Sequence, residues 1–599
     1  MSAFERLGQI WRFAKYGLPL ARTRPDSPRT VADVFEEQAA ARGAHPFVLF
    51  EDRRVTYDEL NREANRVAHW ALAQGLGHGQ RVALLMHNRP EFLWTWAGLS
   101  KAGVTTALIN TNLGGRALEH AITTADAKHL IAGGECLAAC APLGASAPWQ
   151  LWVSDEPGTQ RAELPAGAHD FAADLATRPS ANPPPGTRAE CRAGDDLFYI
   201  YTSGTTGLPK AARFSHLRFM TAATASRLVG FEGSGVMYCA LPLYHTAGGC
   251  MAVGAALLSG GSLALRRRFS AREFWSDVRR FRATSFQYIG EFCRYLLNQP
   301  ADPLDGRHEL EFCIGNGLRP DIWVEFRDRF KLPRIVEFYG ATEGNVSLLN
   351  LDNKVGSVGR IPTRLLMDAR VVRYDVERDE HPRDAHGHLI ECKPDEAGEL
   401  IGAMPTRAGD TRGRFEGYTS KEATERKILR NAFKDGDAFF RTGDLLKHDA
   451  QGYFYFVDRI GDTFRWKGEN VSTQEVAECL AHFPGVEMAN VYGVEVAGAD
   501  GRAGMVALVL APEASFDPRA FYAHAVTALP AYATPVFVRL QKDAEVTGTF
   551  KLRKVELQQE GYDLAKVRDP LFVRDDGARA YVPFDAEAMR KLAAGQLRV

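Results

Sequence analysis

The sequence predicts an α/β protein in two parts, a large layered N-terminal domain and a smaller α+β C-terminal domain. Three observations carry that prediction. The first two-thirds of the chain alternates short apolar runs with segments of helical periodicity, the pattern of largely parallel strands joined by helices. At 599 residues the chain is too long for one core. At Asp458-Arg-Ile-Gly-Asp462 the composition shifts, and the remaining residues hold helical and strand patterns enough for a compact domain of about 140 residues.

Residues 1–30 form an N-terminal segment that opens with MSAFERLGQIWRFAKYGLPLARTR. It has neither the apolar core nor the cleavage site of a secretory signal. Phe4, Leu7, Ile10, Trp11 and Ala14 share one side of an amphipathic helix, with Arg6, Arg12 and Lys15 among the polar positions. Such a helix either anchors at a membrane surface or docks on the protein's own core. Residues 31–460 form the large domain. Thr56 and Glu59 make a capping box before a helix with an apolar stripe at Leu60, Ala64, Val67, Ala68 and Leu72. RVALLMHN (81–88) and VTTALIN (104–110) are strands, separated by a helix that ends at Gly103. Residues 142–187, rich in Pro, Ala and Gly, read as a surface excursion outside the core. The most apolar window, Ala247 to Leu265, has glycines clustered at both ends, so it reads as a buried helix, a turn and a strand, not a membrane span. Residues 461–599 form the C-terminal domain, with a helix in STQEVAECLAHF and strands in MANVYGVEV and MVALVLAP.

Composition narrows the function. Lys plus Arg is 73 and Asp plus Glu is 74, a formal charge of −1, which gives no electrostatic argument for nucleic acid. The nine cysteines are scattered and odd in number, which fits free thiols in a reducing, cytoplasmic compartment. Cys136 and Cys140 lie one helical turn apart, but no further His/Cys set accompanies them, so they read as buried thiols.

The chemistry begins at YTSGTTGLPK (201–210), which comes directly after the apolar run Leu197 to Ile200. The glycines of Thr202-Ser203-Gly204-Thr205-Thr206-Gly207 let backbone N–H groups approach an anion, and the hydroxyls add donors. Lys210 supplies a mobile positive charge for a phosphate oxygen. No Gly-Lys-Ser/Thr ending makes this a Walker loop. Four further motifs lie downstream: YGATEGN (339–345), RTGDL (441–445), DRIGDTFRWKGENVSTQEV (458–476) and TGTFKLRK (547–554).

These five motifs, in that order, resemble the adenylate-forming superfamily of acyl-CoA synthetases, luciferases and peptide-synthetase adenylation domains. GDTFRWKGENVST and the ending from Asp569 resemble its fatty acid transport protein and very-long-chain acyl-CoA synthetase branch. The likeness runs from about residue 30 to the C-terminus and implies a mobile C-terminal domain. It implies two steps, in which a carboxylate attacks the α-phosphate of ATP to give acyl-adenylate and pyrophosphate, and coenzyme A then displaces AMP. An anion attacking an anion needs positioned cations and backbone donors.

The resemblance assigns roles. The 202–210 loop cradles the β- and γ-phosphates. Tyr339, with Gly340 after it, stacks on adenine, and Gly315, Asn316 and Gly317 of GNGLRP form the adenine-edge loop. Thr342 contacts the α-phosphate and Glu343 holds Mg2+. Asp444 accepts from the ribose hydroxyls and Arg459 faces the ribose. Lys551 bridges the carboxylate and the α-phosphate. Gly461 stands where many members carry Asp or Lys, and with Asp462 it forms the hinge, on which the domain swings to present RWKGEN (465–470) to CoA. His245 of LPLYHTAG is either near the acyl site or a packed loop histidine.

Tyr288, Ile289, Phe292 and Leu296 of TSFQYIGEFCRYLLN (284–298) are candidates for the acyl-tunnel wall, and a core helix fits them equally. The branch favours long-chain or very-long-chain fatty acids. Open alternatives are a bile-acid-like carboxylate, transfer to carrier-protein phosphopantetheine, and a membrane fatty-acid transporter with secondary ligase activity. Peripheral association at the inner face of a membrane and a homodimer also remain open.

Overall fold

A computed structural model describes the chain except residues 1–2, 142–147, 159–162, 203–208, 362–363, 365–366, 377, 406–412, 468, 497–500, 545–553, 594–595 and 597–599. The chain divides into two compact units, one of Met1–Gly359 with Met404–Ile428, the other of Arg360–Ala403 with Leu429–Val599.

The first unit is built on two sheets. One has seven strands, in the order His169–Asp170, Gln150–Ser154, His129–Gly133, Arg81–Leu85, Thr105–Leu108, Asp196–Thr202 and Lys210–Ser215. All neighbours are parallel except the last pair, an antiparallel hairpin. In the other sheet Pro46–Phe50, Ser262–Leu265, Val236–Cys239, Ser285–Ile289, Phe312–Asn316 and Ile335–Gly340 run parallel. Antiparallel Arg53–Thr56 and Ser347–Leu349 flank them. Most residues of the central parallel strands are buried, as strands covered by helices must be.

Helix Tyr57–Ala73 starts at Thr56, whose hydroxyl accepts the Glu59 N–H at 3.1 Å. It buries Leu60, Ala64, Val67 and Ala68 but leaves Leu72 exposed. Helix Pro90–Lys101 packs against it at Gly98, where a Cβ would collide with the Ala64 carbonyl. Trp96 of this helix reaches Phe35 and Phe198 at ring-centroid distances of 5.2 and 5.0 Å.

The window Ala247 to Leu265 is a π-helical stretch Thr246–Ala252, a helix Val253–Ser259, a left-handed Gly260 and a strand Ser262–Leu265, as its glycines predict. Among the described residues no helix is long and apolar enough to cross a membrane. Cys136 and Cys140 are buried, and burial pushes the Cys136 thiol up to about 12.

One prediction is corrected. Residues 142–187 are not wholly a surface excursion. Gln150–Ser154 is a sheet strand with Trp152 and Val153 buried, and helix Phe171–Ala176 buries Phe171 and Leu175. Trp152 stands edge-on to Trp70 at 5.1 Å. The apolar run Leu151-Trp152-Val153 is too short to register against the Pro/Ala/Gly composition around it.

The second unit holds an antiparallel sheet of Ala369–Val372, Gly398–Ala403, Ala438–His448 and Tyr453–Arg459. It also holds a five-stranded sheet of Val486–Glu495, Arg502–Leu510, Phe537–Gln541, Leu571–Asp575 and Ala580–Pro583, with helices Thr473–Ala481 and Pro518–Ala528. The hairpin Phe464–Trp466/Glu469–Val471 lies between them in sequence, shortly after residue 460.

Candidate active site

In the first unit the predicted phosphate loop closes a hairpin. Thr202 and Lys210 are direct partners on the antiparallel strands Asp196–Thr202 and Lys210–Ser215. Ser203, Gly204, Thr205, Thr206 and Gly207 lie outside the described residues. The strand leaving the loop is extended on its other side by residues 417–419. Thr419 donates its N–H to Ala211 O and Arg213 donates to Gly417 O, each at 3.1 Å, and Ala212 bridges Tyr418.

That pairing brings Tyr418 to the YGATEG loop. The Tyr418 hydroxyl donates to Glu343 Oε1 at 2.6 Å. Burial, and then the neighbouring Glu343 charge, push the Tyr418 hydroxyl pKa up, so it stays a donor. The loop is held from below by Arg218, whose guanidinium donates to the carbonyls of Gly344 and, at 3.1 Å, Ala341. Thr342 Oγ1 lies 3.0 Å from Thr246 Oγ1. His245, the residue before it, forms the N-cap of the π-helical stretch. Thus Thr342, Glu343 and the His245-Thr246 turn are assembled beside the strand that begins at Lys210.

The Glu343 carboxylate fits a magnesium ion. Among the described residues no group of three His, Cys, Asp or Glu side chains could hold a metal alone. A single partly buried carboxylate suits a cation that brings phosphate and water oxygens as its other ligands.

The parallel strands place the rest. Gly315 and Asn316 end the strand Phe312–Asn316, Gly317 turns out of it with φ +83°, and Pro320 opens the next helix. Tyr339, buried, and Gly340, exposed, end the neighbouring strand. Tyr288 is on a strand, not a helix. Its hydroxyl goes to the carboxyl of Glu337, and Ile289, Phe292 and Leu296 are buried.

In the second unit Asp444 and Arg459 face each other as register partners on adjacent strands, with Arg459 Nε 4.0 Å from Asp444 Oδ1. Gly443, with φ +79°, makes the preceding kink and donates its N–H to Glu399 Oε1 at 2.9 Å. Glu399 has no exposed side-chain surface and pairs with Arg441 at 3.0 Å and His381 Nε2 at 2.6 Å. Burial opposes its charge, but the His381 hydrogen bond and the Arg441 charge hold its carboxyl below the ordinary value. The turn after Arg459 carries Gly461 and Asp462, and Asp462 Oδ2 accepts from Lys554 Nζ at 3.3 Å. Lys551 lies outside the described residues.

Sequence reasoning missed Arg218, Glu337, Glu399 and Tyr418. The two glutamates carried a signal, because each is an acid inside an otherwise apolar strand, Ile335-Val336-Glu337-Phe338 and Gly398-Glu399-Leu400-Ile401. A buried acid of that kind is paired or hydrogen-bonded. Arg218 and Tyr418 carried none, because their partners are over 70 residues away.

Comparison with known proteins shows the family and the fold. Residues 35–400 match the family described as AMP-binding enzyme. The chain is 42% identical over 547 residues to the mouse long-chain fatty acid transport protein 1, covering 90% of this chain and 83% of that protein. It is 40% identical over 575 residues to the Mycobacterium tuberculosis medium/long-chain-fatty-acid–CoA ligase FadD6, covering 96% and 92%. Its fold matches the crystal structure of the anthranilate CoA ligase AuaEII in complex with anthranoyl-AMP with a TM-score of 0.74 at 21% identity, over 90% of this chain and 98% of that one.

Proposed function

The chain belongs to the AMP-binding enzyme family, and we propose that it is an AMP-forming ligase that joins long-chain and very-long-chain fatty acids to coenzyme A. The observation that carries this reading is the assembly of Thr342 and Glu343, through Tyr418, beside the strand that leaves the Thr202–Lys210 loop. That is a place for a triphosphate whose α-phosphate meets an acid.

In the first step the fatty acid carboxylate attacks the α-phosphorus of ATP, the bond to the β-phosphate breaks, and pyrophosphate leaves. The 202–210 loop and Lys210 hold the departing phosphates, and Thr342 donates to the α-phosphate. Glu343 would hold Mg2+, which would supply positive charge to the phosphates. Tyr339 and the Gly315–Gly317 loop take the adenine, Asp444 and Arg459 the ribose, and His245 the acyl entrance. Lys551 bridges the reacting carboxylate and phosphate. In the second step the CoA thiolate attacks the acyl carbonyl and AMP leaves. We place the mobile domain at residues 461–599, with the pivot at Gly461 and Asp462. Esterification on the inner face of a membrane also draws fatty acid inward, which unites ligase activity with uptake.

The N-terminal segment supports peripheral membrane association. Tyr16 is buried, and its hydroxyl donates to Glu232 at 3.0 Å. Ile10 and Trp11 stay 67% and 55% exposed, near Arg12 and Lys15. A tethered helix with exposed apolar side chains beside basic ones, Lys15 lying over the Trp11 ring at 4.4 Å, suits an anionic lipid surface.

The deciding experiment is CoA-dependent AMP release across fatty acids of about six to about twenty-six carbons, with bile acids alongside. We expect release to peak with the long chains. Release only with bile acids, or acyl transfer to holo-carrier protein in preference to CoA, would overturn the substrate assignment. Asp444→Asn is expected to raise KM for ATP about tenfold to a hundredfold, the cost of weakening hydrogen bonds to a charged acceptor, with KM for the fatty acid unchanged. Initial-rate kinetics with each substrate varied in turn check this.

A further inference from the structure

Three parallel strands carry a row whose two polar members, Tyr288 and Glu337, have no role in the activity above. Tyr288, Gly315 and Glu337 are register partners across Ser285–Ile289, Phe312–Asn316 and Ile335–Gly340. The middle residue must be glycine, because a Cβ there would collide with the Tyr288 carbonyl and ring. The missing side chain lets the Tyr288 phenol pass over Gly315 and donate to Glu337 Oε2. The other oxygen, Oε1, accepts the N–H of Gly317 and, at 3.3 Å, that of Leu318. Glu337 is 2% exposed and Tyr288 fully buried. A second glycine closes the device, since a Cβ on Gly290 would collide with the Gly317 carbonyl.

A carboxyl in an apolar sheet is costly, and here it holds one thing in place, the left-handed turn at Gly317-Leu318. We propose that Glu337, oriented by Tyr288 across Gly315, is a positioning residue that fixes the Gly315–Leu318 loop to receive the nucleotide base, and so sets affinity and selectivity for ATP. This rests on the ligase reading, which gives that loop the adenine edge. Burial, partly offset by the Tyr288, Gly317 and Leu318 hydrogen bonds, pushes the Glu337 carboxyl up to about 8. The other titratable groups that face this cluster are Tyr288, Cys313 on the middle strand and Cys293 on helix Gly290–Leu297. Burial holds all three neutral, well above their ordinary values. Glu337 is therefore the group of the cluster that titrates near neutrality. Ionisation strengthens the N–H···O bonds to the loop.

The test compares Glu337→Gln, Glu337→Leu and Tyr288→Phe by pyrophosphate release with a long-chain acid. Gln keeps an acceptor for the loop amides and Leu keeps none. We expect Glu337→Leu to raise KM for ATP tenfold or more, with kcat and KM for the fatty acid within threefold, and to narrow the preference for ATP over inosine triphosphate. Tyr288→Phe should show a smaller rise in KM for ATP, and Glu337→Gln should stay within threefold of wild type. The wild type should bind ATP more tightly as pH rises through about 8, and Glu337→Gln should lack that dependence. If wild type makes no pyrophosphate with any acid, the ligase reading fails. If wild type is active but KM for ATP and base selectivity stay unchanged in Leu and Phe variants, the positioning role fails alone. Should Glu337→Leu not fold, Tyr288→Phe and the Gln pH profile decide by the same criteria.

Discussion

Alanine at Lys551 is expected to slow acyl-adenylate formation by about a hundredfold to a thousandfold. The first step forces a carboxylate onto a phosphate that already carries negative charge. One ammonium placed about 4 Å from that charge, at an effective dielectric of about 20, contributes about 4 kcal/mol, and each 1.4 kcal/mol is about tenfold in rate. Solvent and the remaining cations recover part of the loss, which sets the lower end of the range. The same variant, supplied with ready-made acyl-adenylate, should make thioester at a rate within threefold of wild type, because the cation has no role once the phosphate has been acylated. Pyrophosphate exchange and CoA-dependent turnover of supplied adenylate read the two steps separately. Equal losses in both would remove Lys551 from the reacting atoms. Fatty-acid uptake unchanged by a variant without ligase activity would establish the transporter reading in place of vectorial esterification.

Lys554, three residues on, is the internal control. Its ammonium is committed to Thr473 Oγ1 at 2.7 Å and Asp462 Oδ2 at 3.3 Å. An ion-paired lysine at the N-cap of helix Val555–Glu560 is a poor candidate for a cation that must travel to the substrate. Lys554→Met should therefore cost far less in adenylate formation than Lys551→Ala, and the same exchange assay checks it.

The reach and the limits of the sequence have one physical cause. Function that needs a fixed run of backbone, such as a loop of glycines and hydroxyls or the Arg-Thr-Gly-Asp kink, is written locally, so Thr202, Lys210, Glu343, Asp444 and Arg459 stand out in the sequence as candidates from their motifs alone. The helix Pro90–Lys101 and the strand Thr105–Leu108 are legible for the same reason, since periodicity is a property of neighbours. What supports the motifs is non-local. Tyr418 meets Glu343, Arg218 meets the Ala341–Gly344 turn, and Tyr288 meets Glu337 only after strands distant in sequence have paired. The Gln150–Ser154 strand was hidden because its neighbour His129–Gly133, not its flanking prolines, makes it a strand.

Proline at Gly461 is expected to separate the two half-reactions in the opposite sense from Lys551→Ala. A Cβ at Gly461 meets nothing within 4 Å, and its φ is outside the left-handed range. The residue is thus not glycine for reasons of space in this pose, which leaves conformational freedom as its use. The turn around it is well tied. Ile460 donates to Gly443 O, and Asp462 and Thr463 both donate to Arg459 O, each at 3.0 Å. Across the pivot, Asp458 accepts the Thr473 N–H at 2.6 Å and its hydroxyl at 3.0 Å. Any swing of residues 461–599 must break the Asp458–Thr473 bonds and carry φ and ψ change through Gly461. Proline fixes φ near −65° and drives Ile460 toward extended backbone. Gly461→Pro should hold adenylate formation within about threefold while thioester formation falls at least a hundredfold, and Gly461→Ala should stay near wild type in both. If Gly461→Pro leaves thioester formation intact, the rotation is absorbed at Asp462. In that case Asp462→Pro, which also removes the acceptor for Lys554, is the variant that must fail in the second step.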